Sequence, residues 1–187
     1  MKKLTRALLI AVSIAFLFYL FLPSPLFPEL LGDSLQSDEP ADTESTLRRA
    51  YFTNYTREEV MRYYEAQFTQ LDLLNLSFPA YRLNYPPEEA KMLIRDQTRS
   101  TFLEEIVHPF RESVFVNGFE PKDPKDAILI SGRDWRQKII IRYVPSSALV
   151  RLILGIASIV LIVFVYKGWS KALVDIKEEV LKKWNYR

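Results

Sequence analysis

Two pairs of adjacent glutamates are the residues of this sequence whose types and spacing could support catalysis or metal binding. Glu58 and Glu59 end the stretch AYFTNYTREE, and Glu88 and Glu89 end the similar stretch AYRLNYPPEE. Four carboxylates brought together could bind a cation such as Ca²⁺, and paired carboxylates also hydrolyse glycosidic bonds. The alternative is structural, because acids favour the first turn of a helix, where they meet free N–H groups. We favour the structural interpretation, since adjacent side chains diverge by about 100° around a helix.

The rest of the composition restricts the chemistry further. The chain has no cysteine, which removes thiolate nucleophiles and sulfur metal ligands, and it has one histidine, His108. The sequence contains neither a G-x-S-x-G nucleophile motif nor a glycine-rich phosphate-binding loop. We therefore predict no catalytic residue, no metal, no cofactor and no nucleic-acid partner. An enzyme of the cell envelope that uses the carboxylates stays open as the alternative.

The two similar stretches also predict fold elements. In each copy a short strand, LRRAYFTN or AYRLNY, precedes a helix, TREEVMRYYEAQF or PPEEAKMLIRDQ. The first helix carries a capping box, formed by Thr56 and Glu59. A second capping box, Thr101 with Glu104, predicts another helix beginning at TFLEEIVHPF. The repeat is thus interpreted as a duplicated strand–helix unit.

The sequence after residue 110 becomes rich in β-branched and aromatic residues. SVFVNGFEP is predicted as β structure interrupted at Asn117-Gly118, and AILISGRDWRQKIII as a β-hairpin around GRD. The central domain, residues 46–145, is therefore predicted to be α+β, with repeated strand–helix units closed by a β-hairpin in a mainly antiparallel sheet. Its predicted core comprises Tyr51, Val60, Tyr64, Leu93, Ile106, Phe115, Ile128, Ile130, Ile139 and Ile141.

Two apolar runs flank this domain and are predicted as transmembrane helices, within residues 1–22 and 146–167. The first has basic residues before it and no clear small-x-small cleavage site, so it is predicted to be an uncleaved signal-anchor. Residues 23–45, which are rich in proline and acids, are predicted to form a loose linker. Residues 168–187 have an apolar stripe among lysines and are predicted to form an amphipathic helix on the cytoplasmic membrane surface.

Charge predicts how the chain crosses the membrane. Three basic residues and no acid precede the first apolar run, and six basic residues against three acids follow the second. The region between the runs has 15 basic and 20 acidic residues, a net charge of −5. Because basic residues near the span ends favour the cytoplasm, both termini are predicted inside and the central domain outside the cytoplasm.

Several side chains are assigned to the membrane itself. Arg151, Tyr166, Trp169 and Trp184 are predicted at the interface, because long cations extend toward water and aromatic rings favour the boundary. Small side chains in the two runs predict close packing of the spans with each other or with a partner helix. These small residues are Ala7, Ala11, Ala15, Gly155 and Ser158.

Together these patterns predict a non-enzymatic protein with two membrane spans. Its outer domain would act as a binding, scaffold or sensing module, with the lipid bilayer and another membrane or envelope protein as its partners. The accessory subunit of a larger membrane complex is a further alternative.

Overall fold

The computed structural model describes residues 2–71, 76–86 and 100–185 of the chain. The chain divides at the inner ends of its two apolar runs into a central unit and a helical unit. Each unit is described by itself below.

The central unit, Pro23–Ser146, is built on a six-stranded antiparallel sheet. The sheet strands are β1 (Leu35–Gln36), β2 (Arg48–Thr53), β5 (Tyr81–Asn84), β6 (Phe102–Val107), β7 (Ser113–Phe119) and β10 (Gln137–Val144). Two separate ribbons pair β3 (Gln70–Leu71) with β4 (Leu76–Ser77), and β8 (Ile128–Ile130) with β9 (Arg133–Trp135). In space the sheet order is β1-β2-β10-β7-β6-β5, so the long strand β10 lies inside it.

One face of the sheet packs against helix α2 (Arg57–Thr69). Alternate residues of β10 point to this face and are buried, among them Ile139, Ile141 and Tyr143. Helix α2 buries a stripe at helical spacing against them. The resulting core contains Leu31, Tyr51, Val60, Met61, Tyr64, Phe68, Phe102, Ile106, Val114, Val116, Ile139, Ile141 and Tyr143.

The predicted α+β class is confirmed, with three helices described and an antiparallel sheet. The predicted strand at LRRAYFTN, the helix after Thr56 and the short strand at AYRLNY are all present. The predicted core residues that are buried are Tyr51, Val60, Tyr64, Ile106, Ile139 and Ile141. Phe115, Ile128 and Ile130 are only half-buried. Leu93 and the helix predicted at PPEEAKMLIRDQ lie outside the described residues.

The helix predicted to begin at Thr101 is wrong, because residues 102–107 form strand β6. Thr101 does not cap a helix; its Oγ1 donates to the carbonyl of Gly118 on β7 at 2.9 Å. The interruption predicted at Asn117-Gly118 is also wrong, since β7 continues through both residues. Both errors follow from local signals that cross-strand pairing overrides.

Residues 23–45, which were predicted to form a loose linker, belong to the central unit and pack on the rest of it. Leu31 is buried in the core, and the Leu30 carbonyl accepts a hydrogen bond from the Tyr63 hydroxyl at 2.9 Å. The Pro25 carbonyl likewise accepts one from the Tyr143 hydroxyl at 3.0 Å. Proline keeps such a segment extended but leaves its carbonyls free to accept hydrogen bonds, so it can lie along a folded surface.

The hairpin predicted around GRD is only partly correct. Strand β8 does enter a hairpin, as a ribbon separate from the main sheet, but its partner β9 includes Arg133 and Asp134 of the predicted turn. The second predicted run forms β10, which pairs with β2 and β7.

Strands β8 and β9 are joined by Ser131 and Gly132, which both have positive φ, 54° and 72°. Such a pair of left-handed residues matches the right-handed twist of hairpin strands. On β9 the Arg133 guanidinium lies 4.4 Å from the Trp135 ring centre and forms two hydrogen bonds to Asp33, at 3.2 and 2.9 Å. The ribbon is therefore tied to the segment before β1.

The helical unit contains helices α1 (Lys2–Phe21) and α3 (Ala148–Asn185). Both have stretches long and apolar enough to cross a membrane, Lys3–Phe21 and Ala148–Glu178. Helix α3 has 38 residues, a length of about 57 Å, which exceeds the roughly 30 Å of a hydrocarbon core. The tail predicted as a separate amphipathic helix is thus a continuation of α3.

Candidate functional site

The first glutamate pair has two structural roles. Glu59 closes the capping box, because its carboxylate accepts a hydrogen bond from the Thr56 backbone N–H at 2.7 Å and the Thr56 Oγ1 accepts one from the Glu59 N–H at 3.3 Å. The backbone hydrogen bond from Thr56 lowers the pKa of Glu59. Glu58 instead forms an exposed ion pair with Arg82 at 3.3 Å. Glu88 and Glu89 lie outside the described residues.

Glu58 belongs to an ionic cluster around a carboxylate that sequence reasoning missed. Glu104, on β6, has a fully buried side chain held by Arg57 at 2.5 Å and by Arg82. Arg57 also donates to the Asn84 side chain at 3.3 Å. The hydrogen bond from Arg82 to Glu104 raises the pKa of Arg82. Arg57 belongs to the first of the two similar stretches and Arg82 to the second, so the ion pairs of both with Glu104 connect the two stretches.

Arginines neutralise the buried carboxylate of this cluster. Each Glu104 oxygen accepts a hydrogen bond from an arginine, and Glu104 does not line the groove described below. Within the described parts of the chain, no group of three or more His, Cys, Asp or Glu residues could hold a metal ion. The acids that suggested a cation site thus act as helix and sheet contacts where they are described.

Arg151 has a buried environment within the helical unit. Its side chain is 4% exposed, and its Nη2 donates to the Leu22 carbonyl, just after the end of α1, at 2.9 Å. A helix C-terminus carries unpaired carbonyls and partial negative charge, so a cation is favoured there. This contact ties the end of α1 to the first turns of α3. The interface position of Arg151 stays a prediction.

The predicted packing residues divide into two groups. A Cβ added to Gly155 would lie 2.5 Å from Leu20 Cδ1 and 3.3 Å from Leu17 Cδ2, so the glycine allows close approach of α1 and α3. The other small residues are exposed in the helical unit, and they are Ala7, Ala11, Ala15 and Ser158. The aromatic interface candidates Tyr166, Trp169 and Trp184 are exposed as well.

A buried polar group lies where β6 turns toward β7. The His108 ring is fully buried, stacks on Phe68 with centres 4.6 Å apart, and shares a hydrogen bond with the Phe68 carbonyl at 2.9 Å. Burial lowers the pKa of His108. Beside it, Arg111 and Glu112 form a buried ion pair at 2.7 Å. The His108 Nδ1 is buried without a hydrogen bond to a described residue, and His108 does not line the groove described below.

The candidate functional site is a groove of about 460 Å³ on the sheet face opposite α2. This face consists of the strand residues that alternate with the core residues, such as Ile140 between Ile139 and Ile141. Ribbon β8–β9 contributes Ile128 and Ile130 to the wall. The lining residues are Glu39, Arg48, Phe52, Ser100, Phe115, Asn117, Phe119, Asp126, Ile128, Ile130, Lys138, Ile140 and Arg142.

Strand register arranges the groove lining in rows. At one end Arg48 is opposite Arg142, which is in turn opposite Phe115. At the other end Phe52 is opposite Lys138, which is opposite Phe119. The middle of the groove, between these rows, is centred on Ile140. The lining is therefore aromatic and aliphatic, with a cationic row at each end.

The cations at the two ends differ in how they are neutralised. Lys138 forms ion pairs of 2.7 Å with both Glu39 and Asp42. Burial alone would lower the pKa of Lys138, but the hydrogen bonds to the two acids outweigh burial and raise it. Arg48 has a distant ion pair of 3.9 Å with the exposed Glu44. Arg142 has no ion pair with any residue the structure describes.

Two polar atoms of the lining are buried without a hydrogen bond to the described residues. They are the Asn117 side-chain oxygen and the Arg48 Nε. An unpaired buried polar atom costs roughly 1–3 kcal/mol. Asn117 as a residue is 6% exposed and lies on the groove face, but its side-chain oxygen is buried beneath that surface.

The groove was not predicted from the sequence, although one signal for it exists. Positions 138, 140 and 142 alternate with buried 139, 141 and 143 and read Lys, Ile and Arg. A strand face that is fully exposed to solvent is expected to carry polar residues only. The apolar Ile140 between two cations therefore signals that this face is partly covered. The matching aromatic residues come from β2 and β7, which are distant in sequence, so the sequence alone could not place them beside β10.

Comparison with known proteins gives no family assignment. The chain matches no family model, and neither a curated protein nor a solved structure is significantly similar to it.

Proposed function

We propose that the chain is a two-span membrane protein whose central unit is a non-enzymatic binding module, with the groove opposite α2 as its ligand site. The observation that supports this most directly is the groove itself, in which aromatic and aliphatic side chains lie among a few charged and polar ones. Ligand sites are typically concave, mostly apolar and equipped with a few polar groups.

The carboxylates favour binding over an enzymatic role. Glu59 caps α2, and Glu58 and Glu104 pair with arginines. General acid–base catalysis needs a carboxylate within hydrogen-bond reach of a substrate proton. These acids already have partners, and none of them lines the groove.

We also propose that both termini are cytoplasmic and that the central unit lies on the other side of the membrane. The support is the distribution of basic residues at the span ends and the two candidate spans. The bilayer is accordingly the proposed partner of the helical unit.

The absence of native cysteine permits a direct test of this topology. Lys122→Cys and Lys171→Cys each replace an exposed lysine, the first in the central unit and the second on α3. A membrane-impermeant maleimide added to spheroplasts is expected to label Lys122→Cys at once and Lys171→Cys only after permeabilisation. The opposite labelling order would contradict the proposed topology.

The groove is tested by filling it from the ribbon. Ile130 lines the groove, whereas its neighbour Leu129 is 63% exposed and does not. We expect the full chain, extracted in mild detergent from the membrane in which it is produced, to retain a small-molecule adduct in native mass spectrometry. Ile130→Trp should abolish the adduct, because an indole occupies the volume of the groove.

Leu129→Trp is the matched control and should keep the adduct, since it adds the same side chain on the outer side of the same strand. An adduct of equal intensity on all three proteins would assign it to the helices rather than the groove. That result, or no adduct on any of them, would overturn the proposed binding function.

A further inference from the structure

We infer that the ligand of the groove is an anionic amphiphile, with its charged head at Arg48 and Arg142 and its apolar body along the lining toward Phe119. The inference rests on the proposed binding function and specifies the chemical class of its ligand.

The position of the head follows from an uncompensated pair of like charges. Arg48 and Arg142 are directly opposite on neighbouring antiparallel strands, where like charges destabilise a sheet. The only described acid within ion-pair distance of either guanidinium is Glu44, 3.9 Å from Arg48 and 77% exposed. A phosphate or carboxylate between the two arginines would relieve the repulsion, and guanidinium groups bind such anions with two parallel hydrogen bonds.

The other charged end of the groove is less suited to an anion. Lys138 is already held between Glu39 and Asp42, so an anion placed there would meet two carboxylates. Asp126 adds a further negative charge to the lining. Glu105 is in the row of Arg142, but it is separated from Arg142 by Phe115 and accepts a hydrogen bond from Tyr85. Charge therefore orients the ligand with its head at the Arg48–Arg142 row.

The lining between the ends selects an apolar body. Ile140 is at the centre, and Phe52, Phe115 and Phe119 flank it, while Ile130 faces it from the ribbon. A hydrated inorganic anion would leave this surface exposed to water, whereas an alkyl chain would cover it and remove its apolar area from water.

Binding can be followed with a small fluorine label in the groove. Ser100 lines the groove, and Ser100→Cys gives the chain a single thiol for a trifluoromethyl tag. The full chain in phosphatidylcholine nanodiscs is titrated with decyl phosphate, decyltrimethylammonium or inorganic phosphate while the ¹⁹F resonance is recorded. We expect a saturable shift with decyl phosphate and none with the cationic analogue or with inorganic phosphate at the same concentration.

Charge-removal variants then test the position of the head. Arg48→Gln and Arg142→Gln should each raise the dissociation constant of decyl phosphate about tenfold, as expected for the loss of a charge-assisted hydrogen bond. Arg49→Gln is the matched control, because this substitution removes the same charge from the same strand as Arg48→Gln. The Arg49 guanidinium lies over the Phe27 ring, on the other face of the sheet. The dissociation constant of Arg49→Gln should stay within about twofold of the parent value.

Nanodiscs containing phosphatidylglycerol distinguish two sources of the ligand. The ligand is a membrane lipid if the ¹⁹F resonance is already shifted in these discs before a probe is added. In that case Arg142→Gln should return the resonance to its position in phosphatidylcholine nanodiscs. An unshifted resonance that responds to decyl phosphate would identify a soluble amphiphile. Both results support an anionic amphiphile.

The remaining outcomes separate the failure of this inference from the failure of the proposed function. Equal shifts with the anionic and cationic amphiphiles, or equal effects of Arg48→Gln, Arg142→Gln and Arg49→Gln, would overturn the anionic class. The anionic class is also overturned if no probe shifts the resonance. If the mass-spectrometric adduct is nevertheless lost in Ile130→Trp, the proposed binding function still holds. If neither a shift nor such an adduct is found, both are overturned.

Discussion

Glu104→Ala is expected to lower the free energy of unfolding of the central unit by about 3 kcal/mol, because it removes one partner of a buried ion pair. The Glu104 side chain is fully buried and joins Arg57 on α2 to Arg82 on β5. Without the carboxylate, Arg57 loses its described ion-pair partner and Arg82 keeps only the exposed Glu58. Both arginines are about one-third exposed, which lets them turn toward water and keeps the loss at the lower end of the 3–5 kcal/mol range for buried pairs.

The measurement is urea unfolding of the full chain in mild detergent, followed by the fluorescence of Trp135. Trp169→Phe and Trp184→Phe remove the two tryptophans of α3, so the signal reports on the central unit. Glu58→Ala is the matched control, since Glu58 also contacts Arg82 but has a side chain 68% exposed. It should cost less than about 1 kcal/mol, as exposed ion pairs do. Equal losses for the two variants would show that burial does not set the strength of this cluster.

The ionic cluster also shows where sequence reasoning reached its limit. Glu59 was correctly interpreted as a capping residue, because the capping box is a local pattern spanning four positions. Thr101 and Glu104 present the same local pattern, yet they lie at the start of a strand. The partners that decide this outcome, Arg57 and Arg82, are 47 and 22 residues away from Glu104. No local rule includes such contacts.

The two apolar runs and the segment between residues 23 and 45 show the same contrast. The runs could be predicted as long helices because hydropathy is summed over many neighbours. The segment after α1 was predicted to be loose because prolines and acids dominate its composition. It is held instead by scattered contacts, such as the burial of Leu31 and the hydrogen bond from Tyr63 to the Leu30 carbonyl. Composition averages over these single residues, so it could not reveal them.

The groove depends on sheet order even more strongly. Residues 138, 140 and 142 could be assigned to one strand face from the sequence. That β2 and β7 are the neighbours of β10 could not, since β2 precedes β10 by more than 80 residues. The like-charged pair of Arg48 and Arg142, on which the ligand class depends, exists only once that order is known.

Gly118→Ala is expected to destabilise the central unit by about 2–3 kcal/mol, at the upper end of the usual range for overpacking. Phe102 on β6 is directly opposite Gly118 on β7, and its ring lies over the glycine. A Cβ at position 118 would be 1.9 Å from Phe102 Cε1 and 2.3 Å from Cζ. The ring is rigid and 7% exposed, so it could not yield without leaving the core. This cross-strand cover of a glycine by an aromatic ring is a known way to keep glycine in a sheet.

A double-mutant cycle identifies the ring as the cause. In Phe102→Leu the aromatic atoms nearest to position 118 are gone, so Gly118→Ala should cost at least about 1 kcal/mol less in this background than in the parent. Gly32→Ala is the control, because a Cβ there would meet only the Tyr55 hydroxyl at 4.0 Å, and its effect should be within about 0.5 kcal/mol. Urea unfolding monitored by Trp135 gives all five free energies. If the two substitutions are additive, the loss at position 118 arises from the backbone rather than from Phe102. Asn117-Gly118 would then weaken β7 by itself, as the sequence had suggested.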